Sequence, residues 1–330
     1  MSAHRPATLL LTRGDVRRLL PLSDCVDAVE AAFRRSAEAQ DPPPRILGMH
    51  VQDGGFHAKA AVSGHYFATK LNANFPLNPG RTGLPTIQGV VILADTRDGR
   101  LLAIMDSIEI TILRTAAATA LAARYLARPD AAIVTVCGSG AQGAIQLEAL
   151  VRARAITRAF AYDSDRTRAE EFARTRATTL GIVVEPVDDL GGAVQRSDIV
   201  VTCTPAHEVL IHANDVQPGT FIAAVGADSE DKQELDPTLL TQATVVVDSL
   251  EQCATIGELH HALEAGLLTR AAVHAELGQV IAGRRPSRAS AHEITIFDST
   301  GTALQDVAAA AMVYERALVA GAGTTLDLSL

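Results

Sequence analysis

Between about residues 130 and 250, short β-branched runs alternate with longer amphipathic stretches. The apolar runs fall at 132–137, 159–163, 182–187, 198–204, 221–225 and 243–248. Runs of this kind suit strands buried on both faces, and their alternation with helical stretches predicts an α/β domain with a parallel, doubly wound sheet. Ahead of it the pattern changes. Strand-like pieces follow one another directly, separated by turn signals at Ser63-Gly64, Asn78-Pro79-Gly80 and Asp95-Thr-Arg-Asp-Gly99, which predicts a mostly antiparallel sheet.

A helix predicted over 108–127 joins the two regions, with Asp106 as its N-cap and Glu109 completing a capping box. Beyond the sixth apolar run, Gly301-Thr-Ala-Leu-Gln-Asp306 opens a second helix, rich in small residues, over 307–319. Spacing alone does not say which region that helix joins. Pro42-Pro43-Pro44 is a short stiff connector, and the chain has no internal repeats or low-complexity tracts.

Composition then narrows the partners. A chain of 330 residues with 48% apolar content can bury two cores. The formal net charge of −9 disfavours a nucleic-acid or anionic-membrane binder, either of which needs a clustered basic surface. The N-terminal apolar run, 7–11, is short, and no later run approaches the roughly 18 residues of a membrane span, so a cytoplasmic protein acting on small molecules is expected. Cys25, Cys137, Cys203 and Cys253 form no CxxC pair, and the adjoining His260-His261 lack a familiar ligand spacing. Neither disulfides nor a metal site are expected.

The first apolar run leads straight into Gly138-Ser139-Gly140-Ala141-Gln142-Gly143, after which residues 144–150 form a good helix. In that strand-turn-helix setting the glycines allow a tight turn and close approach to a pyrophosphate at the helix N-terminus. Asp163, ending the next run, is placed to accept hydrogen bonds from ribose hydroxyls and to repel a 2′-phosphate. This favours NAD(H), while Arg166 and Arg168 leave NADP(H) open. The cofactor contacts expected are Gly138, Ser139, Gly140, Ala141, Gln142 and Asp163, with Thr204 and Val225 at the ends of later strands.

In the first region, residues 55–70 read as a hairpin. A two-residue Ser63-Gly64 loop pairs Val62 with His65, Lys59 with Ala68 and His57 with Lys70, placing His57, Lys59 and Lys70 on one face. Clustered cations cost stability unless an anion lies among them, and a substrate carboxylate is one candidate. The alternative is a solvated basic face. Arg114 is the only charge between Glu109 and Arg124, in a run of small residues. Such an arginine is expected to be partly buried and to need a carboxylate, from a substrate or from the protein. Asp228, just beyond the fifth run, sits where strand ends face a ligand and could exchange a proton with substrate.

Several segments together resemble the ornithine cyclodeaminase and mu-crystallin family. They are Pro44-Arg45, Lys70, Gly83-Leu84-Pro85-Thr86, Met105-Asp106, Thr111-x-x-Arg114-Thr115-Ala116-Ala117, Gly138-x-Gly140-x-Gln142, Gly226-Ala227-Asp228 with Lys232 and Glu234, and Phe297-Asp298-Ser299-x-Gly301-x-Ala303-x-x-Asp306. The resemblance implies a homodimer of two-domain subunits: a Rossmann domain over 119–299, and an α+β substrate and dimerisation domain from 1–118 with 300–330. It also implies that Arg45, Lys70 and Arg114 grip the substrate carboxylate or polarise the reacting carbon, that Asp228 handles protons and that Thr86 lines the site.

Family chemistry is hydride exchange at the α-carbon of an amino acid. Where the cyclodeaminases carry a glutamate near the substrate's distal amine, this chain has His57, and with Lys59 it would repel an ammonium. The expected activity is therefore NAD(P)H-dependent reduction of a small cyclic imino acid such as 1-pyrroline-2-carboxylate or 1-piperideine-2-carboxylate. Ornithine cyclodeaminase, an alanine dehydrogenase-like enzyme and a non-enzymatic mu-crystallin-type binder are the alternatives.

Overall fold

The structure, a computed structural model, describes residues 7–328. Two compact units emerge: residues up to Ala117 with those from Thr302 onward, and Ala118–Gly301. The N-terminal run read above begins inside the described residues at Ala7, and residues 1–6 lie outside them.

In chain order the strands are β1 (Thr8–Leu11), β2 (Arg45–Val51), β3 (Gly54–Ser63), β4 (Tyr66–Asn74), β5 (Ile87–Asp95) and β6 (Leu101–Asp106). They continue as β7 (Ile133–Cys137), β8 (Arg158–Tyr162), β9 (Val183–Pro186), β10 (Ile199–Thr202), β11 (His207–Ile211) and β12 (Phe221–Ala224). The last are β13 (Gln233–Leu235), β14 (Thr244–Val247), β15 (Ala275–Glu276), β16 (Thr295–Asp298) and β17 (Thr324–Leu326).

The first unit holds one sheet in the order β17-β1-β6-β5-β4-β3-β2, in which β2 to β6 form an antiparallel meander. The helix Ala303–Ala320 packs on β3 and β4, and the helix Leu22–Ala37 packs on that helix in turn. Buried alanines at 303, 309, 310 and 317 let the backbones approach closely. The β3-β4 turn corrects the expected pairing. Its two loop residues are Gly64 and His65, because a two-residue hairpin of this twist needs positive φ at its first position, and Gly64 has φ +59°. Lys59 therefore pairs with Lys70, and His57 with Asn72. The slip is by two residues, so His57, Lys59 and Lys70 still share a face.

The second unit holds a parallel sheet in the order β15-β14-β16-β12-β10-β7-β8-β9, with a small β11-β13 pair beside it. All six apolar runs form strands: β7, β8, β9, β10, β12 and β14. Pattern reading missed β16, which inserts between β12 and β14. Its four residues follow a polar stretch, too short a run to register as a separate signal. The order reverses between β8-β7 and β7-β10, and ligands bind at such a switch point in doubly wound sheets.

The helix Ser107–Leu126 starts in the first unit and ends in the second. Asp106 caps it, its Oδ1 accepting from the Glu109 N–H at 2.8 Å. The reciprocal half of the expected capping box is missing, because the Glu109 carboxylate instead accepts from Arg17 at 3.0 and 2.9 Å.

Candidate functional site

The first unit gathers charge in its interior. Lys70 on β4, Arg114 on the long helix and Asp306 in the first turn of Ala303–Ala320 are exposed by only 4%, 5% and 1%. Charges buried so deeply persist only when paired. The Lys70 ammonium donates to Asp306 Oδ1 at 2.9 Å and to Thr111 Oγ1 at 3.3 Å. Arg114 Nε donates to the same Asp306 Oδ1 at 3.1 Å, and its Nη1 donates to Gln305 Oε1 at 3.0 Å.

Burial pushes the Lys70 ammonium down to about 7; Arg114 and Lys59 add to the push, and Asp306 opposes it. Burial would raise the Asp306 carboxyl, but Lys70 and Arg114 outweigh burial and hold it below its ordinary value. Asp306 is thus an ionised hub between two cations, one of them poised to gain or lose a proton near neutrality.

Arg114 is buried as expected, and its protein partner is Asp306. The hub itself was assigned no role from sequence. The signal was present, since Asp306 is the only charge between Asp298 and Glu315, the same pattern that marked Arg114. Lys59, buried and opposite Lys70, lies on the face that carries His57 two residues earlier in β3. The His57 ring meets His50 edge-on with centroids 6.3 Å apart, and Asn72, across from His57, accepts from Ser107 Oγ at 2.7 Å. Thr86 is half-buried just before β5, its carbonyl accepting from the Phe75 N–H at 2.8 Å.

Arg45 is not brought to this group. It starts the edge strand β2 opposite Ala60, exposed, whereas Ile46 stands opposite Lys59. Strand alternation puts Arg45 on the other face of the sheet.

The second unit offers a cradle of backbone. Gly138 follows β7 with φ +105°, and a Cβ there would lie 3.1 Å from the Cys203 carbonyl oxygen. A Cβ on Gly143 would lie 2.0 Å from the Gly138 carbonyl oxygen, so the helix Ala141–Ala153 can meet the turn only through glycine. At Gly140, by contrast, a Cβ would meet nothing within 4 Å. This residue caps the helix without a side-chain hydrogen bond, so the helix N-terminus opens onto free space, as an anion site requires. The buried Ser139 Oγ has no hydrogen-bond partner, an orphan that a phosphate oxygen would satisfy. These features fit a dinucleotide.

Asp163 braces the loop from below. Its Oδ2 accepts from the Ser139 N–H at 2.8 Å and its Oδ1 from the Asp165 N–H at 3.0 Å, leaving lone pairs for ribose hydroxyls. Arg166, one of the two arginines that kept NADP(H) open, is tied to Glu170 at 2.9 Å and also to Asp188. Ala141 and Gln142 open the helix, and the Gln142 Oε1 accepts from Gln146 Nε2 at 3.4 Å. Beyond β10 and β12, Thr204 donates to Glu234, and the Val225 N–H donates to the Thr202 carbonyl at 2.9 Å. Asp228 is exposed, its Oδ1 2.5 Å from Lys232 Nζ. His260, His261 and Glu264 are the one group among the described residues whose possible ligand atoms lie within 4.8 Å, but His261 Nε2 already contacts the Lys232 carbonyl at 2.8 Å.

The model of the ornithine cyclodeaminase/mu-crystallin family matches residues 7–321. The chain belongs to that family. Among solved structures, it superposes on an archaeal alanine dehydrogenase dimer with bound NAD with a TM-score of 0.94, at 39% identity over 98% of this chain and 99% of the other. Against the Thermococcus litoralis Δ1-pyrroline-2-carboxylate reductase in complex with NADH and L-proline, the TM-score is 0.92 at 31% identity, covering 97% and 100%. The iminosuccinate reductase of Paracoccus denitrificans is 34% identical, over 97% of this chain and 100% of its own. The family's doubly wound, Rossmann-type fold is the fold of the second unit.

Proposed function

We propose that this family member is an NAD(H)-dependent oxidoreductase that reduces a small imino acid to the amino acid, with a cyclic imine of the pyrroline- or piperideine-2-carboxylate type as substrate. The observation that carries the reading is the buried Lys70–Asp306–Arg114 cluster, in a chain that also offers an open dinucleotide cradle. A nicotinamide bound at that cradle supplies hydride-transfer chemistry at the C=N carbon. Arg114, planar and permanently charged, takes the substrate carboxylate in fork geometry. Lys70 polarises the imine while it is protonated, and Asp306 keeps it oriented and favours the charged form. Asp228 exchanges the proton at nitrogen, and Lys232 at 2.5 Å keeps its carboxylate oriented. Asp163 takes the ribose hydroxyls, and the anchoring of Arg166 on Glu170 and Asp188 favours NAD(H) over NADP(H). His57 and Lys59 disfavour a substrate with a distal ammonium, and Arg45, at the sheet edge, contributes long-range attraction for an anion.

Relatives named Δ1-pyrroline-2-carboxylate reductase and iminosuccinate reductase support reduction of an imine. The higher identity to alanine dehydrogenase favours a second reading, in which the imine forms from a keto acid and ammonia. A panel of cyclic imino acids, pyruvate with ammonia, and ornithine, followed by NADH oxidation or by ammonia release, separates them. Turnover of ornithine alone, with no imine reduced, would refute the proposal.

The outer face of the meander supports a homodimer. Leu47, Leu71 and Val90 fall in one cross-strand row and Met49 and Phe56 in the next, and all are exposed. A contiguous apolar patch of this kind marks a protein contact. Light scattering should give twice the chain mass of 34.7 kDa, and Leu47→Glu should shift it toward the monomer. A monomeric wild type would end this part of the reading.

A further inference from the structure

Two neighbouring strands of the parallel sheet, β10 and β12, end side by side, with Thr202 opposite Ala224. Past those ends the chain continues into Thr204 on one side and Val225-Gly226-Ala227-Asp228 on the other. Both continuations give a backbone N–H to one buried carboxylate. Glu234 Oε1 accepts from the Thr204 N–H and from the Thr204 hydroxyl, each at 2.7 Å. Its Oε2 accepts from the Gly226 N–H at 3.1 Å.

The surroundings are shaped to admit that carboxylate. A Cβ on Gly226 would lie 2.3 Å from Glu234 Oε2, so only glycine leaves room. On the Thr204 side the connection runs on to the phosphate loop, because the Thr204 methyl would lie 3.1 Å from a Cβ on Gly138. Glu234 is itself fixed from behind. Its own N–H and that of Leu235 are both taken by the Glu258 carboxylate, at 2.9 and 3.0 Å.

We infer that Glu234 is a positioning residue for the redox reaction: a carboxylate staple that sets the spacing between Thr204, the Gly138 turn and the segment carrying Asp228. The inference rests on the function proposed above. Glu234 touches neither cofactor nor substrate in this role and acts through the backbone it holds. The chemistry demands a carboxylate, because both oxygens face N–H donors. In an isosteric amide one of those positions becomes an NH2 group set against another donor, leaving a buried N–H unsatisfied.

The test is Glu234→Gln, with Thr204→Val as a milder companion that keeps the Thr204 N–H on Glu234 and removes the hydroxyl, which donates to Glu234 and accepts from the Ala206 N–H at 3.1 Å. Hydrogen exchange read by NMR should quicken selectively at the Thr204 and Gly226 amides of Glu234→Gln. The kcat for imine reduction should fall by about tenfold or more, and the NADH dissociation constant should rise several-fold, while KM for the imine changes little. Thr204→Val should change kcat less. A lowered melting temperature with unchanged kcat and unchanged NADH affinity would show a merely structural carboxylate and overturn the inference, as would unaltered exchange at both amides. A wild type that binds NADH but reduces no imine would sink the functional reading alone; the exchange and NADH-affinity measurements would then decide the staple.

Discussion

In the unit built on the parallel sheet, the groups offered to a ligand are mostly backbone: an open helix N-terminus, a glycine turn and amides fixed by carboxylates from below. In the unit built on the antiparallel meander they are side chains, with Lys70 and Arg114 sharing the single carboxylate of Asp306 in the interior. A backbone site is specified by what is absent, since a Cβ in the wrong place destroys it. A charge cluster is specified by what is present, and each member depends on the others. The two units should therefore fail differently under mutation.

The largest effect is expected at the hub. Asp306→Ala strands two buried cations at once and should cost about 3–5 kcal/mol of stability as well as activity. Thermal or denaturant unfolding measures it, and a loss under about 1 kcal/mol would show that the cluster is not held by charge. In the other unit, Gly143→Ala puts a methyl group where only 2.0 Å is available to the Gly138 oxygen. NADH affinity should fall by about tenfold, although alanine is the better helix former by about 1 kcal/mol. Tighter NADH binding in a fluorescence titration would break the contrast.

The smallest effect, and the sharpest, is in pH. Lys70 must be protonated to polarise an imine, and its ammonium lies down at about 7 in the folded enzyme. Reduction should lose efficiency as pH rises through that value, approaching tenfold per pH unit, while oxidation of the amino acid should gain until Lys70 is neutral. The stability term runs the same way as oxidation. Between about 7 and the unfolded value near 10.4 the unfolded chain holds the extra proton, so this group's cost to folding is full at low pH and fades as pH rises. A reduction rate flat from about pH 6 to about pH 9 would remove Lys70 from the chemistry.

Much of this was legible because it depends on local pattern. The six apolar runs are strands since short β-branched stretches between helical ones suit a parallel sheet, and the glycine turn declares itself by following one of them. The hairpin register slipped by two because Ser63-Gly64 and Gly64-His65 are both plausible two-residue loops, and only the positive φ of Gly64 at the first position separates them. The shared face of Lys59 and Lys70 survived because an even slip preserves side-chain parity. Asp306 and Glu234 were harder to read. Their roles come from partners 236, 192, 30 and 8 residues away in sequence, and no periodicity reports such distances. The role of Arg45 came from the family resemblance alone, and the register that sets it opposite Ala60, on the face away from Lys59, is not legible in the residues around it.

The long reach of Asp306 also sets a timetable for synthesis. The aspartate that reconciles Lys70 with Arg114 emerges from the ribosome 236 residues after Lys70, a wait of roughly 10 to 50 s at ordinary elongation rates. During that interval the entire parallel-sheet unit is made and can fold on its own core. The meander, meanwhile, stands with two unneutralised cations and an uncovered apolar face. For the nascent chain this makes the first unit the later of the two to complete its core, and the helix Ala303–Ala320 the element that closes it.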